Sequence, residues 1–284
     1  MTDRLADVSA RIAGIRQLGA VVNAMRGIAA ARAQQARSQV VAVDRYAAAI
    51  AAAIGRAVSL MPGRRLEQVR TPGGLALVLF CAEQGFAGAF SQRVLDAAGP
   101  DLATAALFVA GTRGGVALAE RGIEPGWTGV VPSHSPGLPR LATEIATALY
   151  ARLATGDIHR LDVIFCQWDP GHGVRIVRQT LLPLDFARFP ASAHATAPLV
   201  NLAPAELLQE LAADYLHAQL CHAALHGFAA ENEARMEAMA AAHTQTNRQL
   251  TALQATERRV RQEEITAEII ELAAGEAASR ERSA

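Results

Sequence analysis

Apolar side chains recur near the start of the chain at Leu5, Val8, Ile12, Ile15, Leu18, Val22, Met25 and Ala29. The spacing alternates between three and four, which lines them along one stripe of a helix and is the seam of a coiled coil. No proline interrupts residues 3–60, and Pro62 then ends the pattern. A second proline-free stretch runs over residues 205–278, just after Pro204, a favoured residue at a helix start. It is rich in Ala, Glu, Arg, Gln and Leu, all good helix formers. Leu250, Leu253, Val260, Ile265, Ile269 and Leu272 keep a looser version of the seam. An unbroken helix of that length spans roughly 110 Å and projects from any domain this chain can build. A projecting helix needs a partner to be stable in water. Two such helices at opposite chain ends predict an antiparallel coiled coil.

Between them the period changes. Residues 75–81 are a continuous apolar run, as in a buried strand. A turn with Gly85 and Gly88 follows, then helical patterns over 90–98, 116–121 and 141–153. Strands are expected at 105–110, 128–131, 161–168 and 174–182, the last two as a hairpin around 169–173. Strands alternating with helices predict a Rossmann-like α/β domain with a mainly parallel sheet. The fold class is therefore α/β: terminal coiled-coil helices around a central α/β domain. The expected parts are 1–61, a shaft helix; 74–200, a head; and 204–278, a second shaft helix. Residues 64–74 and 190–204 are connecting segments.

Composition narrows the function classes. Formal net charge is zero over 284 residues, so no strong field draws nucleic acid or acidic lipid. There is no lysine, so no P-loop can form. No apolar run is long enough to span a membrane, and the N-terminus lacks the apolar core of a signal peptide. Cys81, Cys166 and Cys221 lack metal-ligand spacing and read as reduced, structural residues. Gly14, Gly19 and Gly27 each cost a helix about 1 kcal/mol relative to alanine, which points to a helix that must stay thin.

Candidate chemistry is sparse. Gly85 and Gly88 follow a strand, where phosphates often dock, but they do not complete a dinucleotide fingerprint. His222 and His226 share a helix face with metal-ligand spacing, and His217 lies nearby; no carboxylate in the sequence pattern completes a set. Glu263 and Glu264 are adjacent and point about 100° apart, so they are no catalytic pair. The residues alone give a shaft with a head, no active site and no cofactor.

Several motifs stand in a recognisable order. Residues 261–272 read RQEEITAEIIEL, 231–239 read ENEARMEAM, 23–32 read NAMRGIAAAR, 181–184 read LLPL, and 83–90 read EQGFAGAF. Together they resemble the γ subunit of F-type ATP synthases over nearly the whole chain. The resemblance implies an antiparallel coiled coil seated in the cavity of an α/β subunit hexamer. It implies a head that contacts the ε subunit and the c-ring. Ion flow would turn the ring and shaft, driving the catalytic β subunits through their states, with no catalytic site on this chain. On the same basis Arg261 and Gln262 would bond loops of β, and Thr266 and Glu268 would stiffen that contact. Met25 would lie opposite on the first helix, and Gly85, Phe86 and Gly88 would form the head loop facing ε. The place implied is the cytoplasmic face of a bacterial inner membrane, peripheral and without direct insertion.

The chain departs from the family pattern. The lysines usual around Met25 are absent, and Ala87 and Ala89 stand where cysteine and glycine are usual in the head loop. Such divergence resembles the alternate F-type ATPases that some bacteria carry. The coupling ion, proton or sodium, is set by the ring and not by this chain. Two other classes remain open to the residues alone: a nucleotide-binding α/β enzyme with helical dimerisation arms, and a non-rotary coiled-coil interaction protein.

Overall fold

The computed structural model describes residues 2–61, 74–169, 171–189 and 199–283. Most of the expected segments 64–74 and 190–204, and Pro170 of the hairpin turn, lie outside them. The elements are α1 (Thr2–Ser59), β1 (Gly74–Phe80), α2 (Phe90–Ala98), β2 (Ala106–Ala110), α3 (Thr112–Glu120), β3 (Trp127–Gly129), α4 (Leu138–Ala154), β4 (Ile158–Asp169), β5 (Gly173–Leu182) and α5 (Pro204–Ser283). Short 3₁₀ turns precede β2 and α4 and follow β5. Among the described residues no helix is long and apolar enough to cross a membrane.

The chain divides into two compact units. One comprises Met1–Ile28 and Glu237–Ala284, the other Ala29–Met236. In Ala29–Met236 the sheet order is β3-β2-β1-β4-β5, with β5 antiparallel to β4 and the other pairs parallel. The run in β1 is apolar throughout because both faces are covered. Ala76, Val78 and Phe80 face a core shared with α4 and α5. Leu77, Leu79 and Cys81 face a second core built with α2 and α3. Gly227 lets α5 approach the sheet closely, since a Cβ there would stand 3.3 Å from the Cβ of Phe80. The α1 stretch in this unit buries Ala29, Ala33, Ala36, Ala47, Ile50, Ile54 and Ala57. With half-buried Val40 and Val43 they keep an unbroken three–four spacing. Ile50 and Ile54 close a third cluster with Leu208, Phe186, Phe189 and Tyr215.

The other unit is a helix pair. Arg4 meets Glu263, Ser9 bonds Glu257, and the Gly19 position lies 3.4 Å from the Thr246 methyl. One index rises as the other falls, so the pair is antiparallel. Val8, Ile12 and Val22 are buried in α1, and Val260, Met239 and Thr246 in α5.

Two seam expectations change. Leu18 is 50% exposed, and the stripe passes through Gly19 instead. A small residue there lets the Thr246 methyl come close, which turns the bulkier neighbour outward. On α5 the seam holds as far as Val260, but Ile265, Ile269 and Leu272 are exposed. Arg4 pairs with Glu263, so these three residues follow the last α5 position seen paired with α1 among the described residues.

Candidate functional site

Two surfaces carry the features a partner would read, one in each unit. In Ala29–Met236 the surface is the loop between β1 and α2. Its conformation is fixed from α5. The Arg235 guanidinium donates to the carbonyls of Gly85, at 3.1 Å, and Gln84, at 3.3 Å. The Glu231 carboxylate accepts from the backbone N–H groups of Glu83, at 3.2 Å, and Gln84, at 3.3 Å. The two side chains also pair with each other, and neither is more than 5% exposed. Asn232 holds the guanidinium from the side, accepting at 3.0 Å and donating to the Phe228 carbonyl at 2.8 Å. Glu233, also buried, pairs with Arg37, which stacks over Trp168 at 4.6 Å. Charges are taken out of water here only because each is paired and hydrogen-bonded.

The loop so fixed presents its apolar tip outward. Phe86 is 66% exposed and adopts a left-handed backbone, φ 62°, unusual for an aromatic residue. Gly88 follows at φ 59°. A ring displayed in that way is a protein contact more readily than a core residue. Gly85, Phe86 and Gly88 thus stand together on one exposed turn.

A phosphate would find this crevice already filled. The strand order reverses at β1, the usual nucleotide position in such sheets. There Glu83 accepts from the N–H of Thr112 at 3.1 Å, from its hydroxyl, and from the N–H of Val131 at 2.9 Å. Thr112 opens α3, so the carboxylate occupies the anion position at that helix N-terminus. The cavity beside the loop holds about 230 Å³, lined by Phe86 and Arg113 among others. Ligand pockets usually offer roughly 300–1,000 Å³.

The second surface lies in the helix pair. Arg261 is exposed and pairs within its helix with Glu257, at 3.5 Å. Gln262 is exposed, and its carbonyl accepts the Thr266 hydroxyl at 2.8 Å. Thr266 and Glu268 are exposed as well. All four occupy the α5 stretch whose apolar neighbours Ile265, Ile269, Ile270 and Leu272 are 52%, 61%, 63% and 68% exposed. Met25 is not opposite them. The pairing of Arg4 with Glu263 puts the Leu5 turn across from Arg261. Half-buried Met25 lies about 30 Å farther along α1, at 1.5 Å per residue.

The remaining titratable groups sort themselves. Burial pushes the Cys81 and Cys166 thiols up to about 12 and the Cys221 thiol to about 11, which makes them inert. His217 lies against Thr143 and the Pro139 carbonyl, apart from the other histidines. His222 and His226 do share a face, and Asp44 of α1 joins them, a carboxylate the sequence pattern did not supply. Glu83, Glu231, Arg235 and Asp162 were also missed as organising residues. Asp162 is fully buried on β4. Burial alone would raise its pKa, but bonds from Arg160, Arg178 and Thr180 outweigh that and hold it below the usual carboxylate range. A detectable signal existed for the α5 group: ENEAR puts three charged residues and an asparagine directly after GFAA in an alanine-rich stretch.

A family model described as ATP synthase matches residues 4–278. The ATP synthase gamma chain of Chlorobium luteolum is 26% identical over 286 residues, covering 95% of this chain and 97% of that one. The gamma chain of Streptomyces griseus is 27% identical over 296 residues, covering 96% and 95%. Among solved structures, a chain of the Euglena gracilis mitochondrial ATP synthase OSCP/F1/c-ring assembly aligns with a TM-score of 0.69. It covers 98% of this chain and 95% of that chain at 11% identity. A chain of the Tetrahymena thermophila central stalk/c-ring structure aligns at 0.58, covering 78% and 99% at 16% identity. At those identities the structural likeness is one of fold.

Proposed function

The chain belongs to the ATP synthase family, and from that premise we propose that it is the central rotor shaft of such a complex. It couples rotation of an ion-driven c-ring to ATP synthesis or hydrolysis in the hexamer of α and β subunits. It does no catalysis itself; it is a peripheral subunit of the membrane complex, and we place it on the cytoplasmic face of a bacterial inner membrane. Residues 1–61 and 204–278 act as the shaft and residues 74–200 as the head.

One observation carries the reading. The α5 end displays Ile265, Ile269, Ile270 and Leu272 to solvent, interleaved with Arg261, Gln262, Thr266 and Glu268. Four large apolar side chains on consecutive turns are costly in water and sensible inside an apolar sleeve. Arg261 and Gln262 bond polar loops of β at the rim of that sleeve, and Thr266 and Glu268 support the same contact. Met25 meets the sleeve at a separate level, as a neutral side chain where a charge would be costly. The Gly85–Phe86–Gly88 turn is the contact for the ε subunit. Rotation then needs only that the shaft bind successive β conformations with different strength, which shifts their populations.

Mixing the chain with its cognate α and β subunits tests this. The expected product is a stable hexamer with one copy of the chain and raised ATP hydrolysis. Subunits that neither bind nor respond to it would overturn the reading.

A further inference from the structure

Asp44, His222 and His226 stand apart from both partner surfaces, within Ala29–Met236. The helix puts the two imidazoles on one face, four residues apart, with ring centroids 4.4 Å from each other. The antiparallel course of α1 then brings the Asp44 Oδ1 to 3.3 Å from the His222 Nε2. One ligand atom from each of the three lies within 4.8 Å of the others. The His222 Nδ1, on the other side of the ring from the Asp44 contact, is buried without a hydrogen-bond partner among the described residues. Phe165 packs on both rings, at 5.9 and 6.0 Å, and closes the side facing the sheet.

We propose that Asp44, His222 and His226 form a binding site for a borderline divalent cation of the zinc class, clamping α1 to α5. Two imidazoles and one carboxylate are a common zinc donor set, with water completing the tetrahedron. Ligand bonds of about 2.0–2.1 Å place tetrahedral donors roughly 3.3 Å apart. The Asp44 Oδ1 and His222 Nε2 already stand at that separation, and no pair in the set has to close by more than about 1.5 Å. Burial keeps both imidazoles neutral, the form that binds metal; His226 is pushed down to about 4 by burial and then by His222. Cys221 is adjacent in sequence, but its sulfur lies against His217, 3.8 Å from the ring, so the site contains no thiolate.

The test uses the full chain, stripped with EDTA. Zinc titrated by calorimetry should bind one ion per chain and raise the melting temperature. His226→Gln and Asp44→Asn each remove a ligand and should weaken binding by at least about 10–100-fold, the loss that removing even a residue behind a ligand typically causes. Cobalt bound to the unmodified chain should give the visible bands of tetrahedral N/O ligation. Three results would each overturn the proposal: no binding beyond that of a His222→Ala/His226→Ala chain, equal binding in all variants, or a sulfur-to-cobalt charge-transfer band.

Discussion

Arg235 in one unit and Arg261 in the other sit on the same helix, yet they live under opposite conditions. Arg235 is buried, bonded to two backbone carbonyls, to Asn232 and to Glu231. Arg261 is exposed and, among the described residues, pairs with Glu257 of its own helix. The apolar side chains reverse this order. In Ala29–Met236 the isoleucines and leucines of β1, β4 and α4 are buried apart from half-buried Leu75 and Leu153, whereas the end of α5 leaves three isoleucines and a leucine in water. A unit that spends its charges internally is built to keep its own shape. A unit that leaves charges and apolar surface unspent is built to be completed by something else.

The sharpest way to break that contrast is Arg235→Leu. It strands the Glu231 carboxylate and frees the Gln84 and Gly85 carbonyls, so urea denaturation should show a loss of about 3–5 kcal/mol. A loss below about 1 kcal/mol would mean that the buried network does not hold the loop. Ile269→Glu should do the opposite. Isolated stability should change by no more than about 0.5 kcal/mol, as at other exposed sites, while assembly with α and β weakens by at least about tenfold. Unchanged assembly would remove that face from the contact.

Acid should affect the two units unequally. Folded His226 titrates at about 4, below its ordinary 6.5, because of burial, then His222 and Arg175, against the opposing pull of Asp44 and Asp169. Between those values the unfolded chain holds the extra proton. Stability of Ala29–Met236 therefore falls as pH drops below about 6.5 and goes on falling toward 4. Thermal melts at pH 7.5 and 5 should differ by several degrees, and His226→Phe should narrow the gap. The smallest effect concerns the glycines of α1. A Cβ at Gly14 or Gly27 meets nothing within 4 Å among the described residues. Replacing either with alanine should raise isolated stability by up to about 1 kcal/mol. If thinness serves a partner, the same change should lower hydrolysis in the complex.

Much of the fold was legible because it is local. The strand at β1, the hairpin of β4 and β5, and both long helices follow from period and from where proline and glycine stand. What escaped was relational. That Gly19 and not Leu18 takes the seam depends on which α5 residue arrives opposite, and that is Thr246. That Ile265 and Ile269 are bare follows from the register of α5 against α1, set by the pairing of Arg4 with Glu263, which no window of α5 can reveal. Asp44 and His222 are distant in sequence and meet only once the helices pair. Glu83 resembled an ordinary turn residue until α3 delivered the N–H of Thr112 to it. The exposed residues proposed as contacts were legible only through the resemblance, since an exposed arginine or phenylalanine leaves no periodic trace.

The central claim is that this chain turns within its partners. Thr147 is exposed on α4 while all three native cysteines are buried, so a Thr147→Cys chain can be labelled at that position alone. A bead attached there, on a complex whose α and β subunits are fixed to a surface, should rotate continuously in one direction when ATP is added and stop when it is removed. A complex that assembles and hydrolyses ATP while the bead stays still would contradict the account.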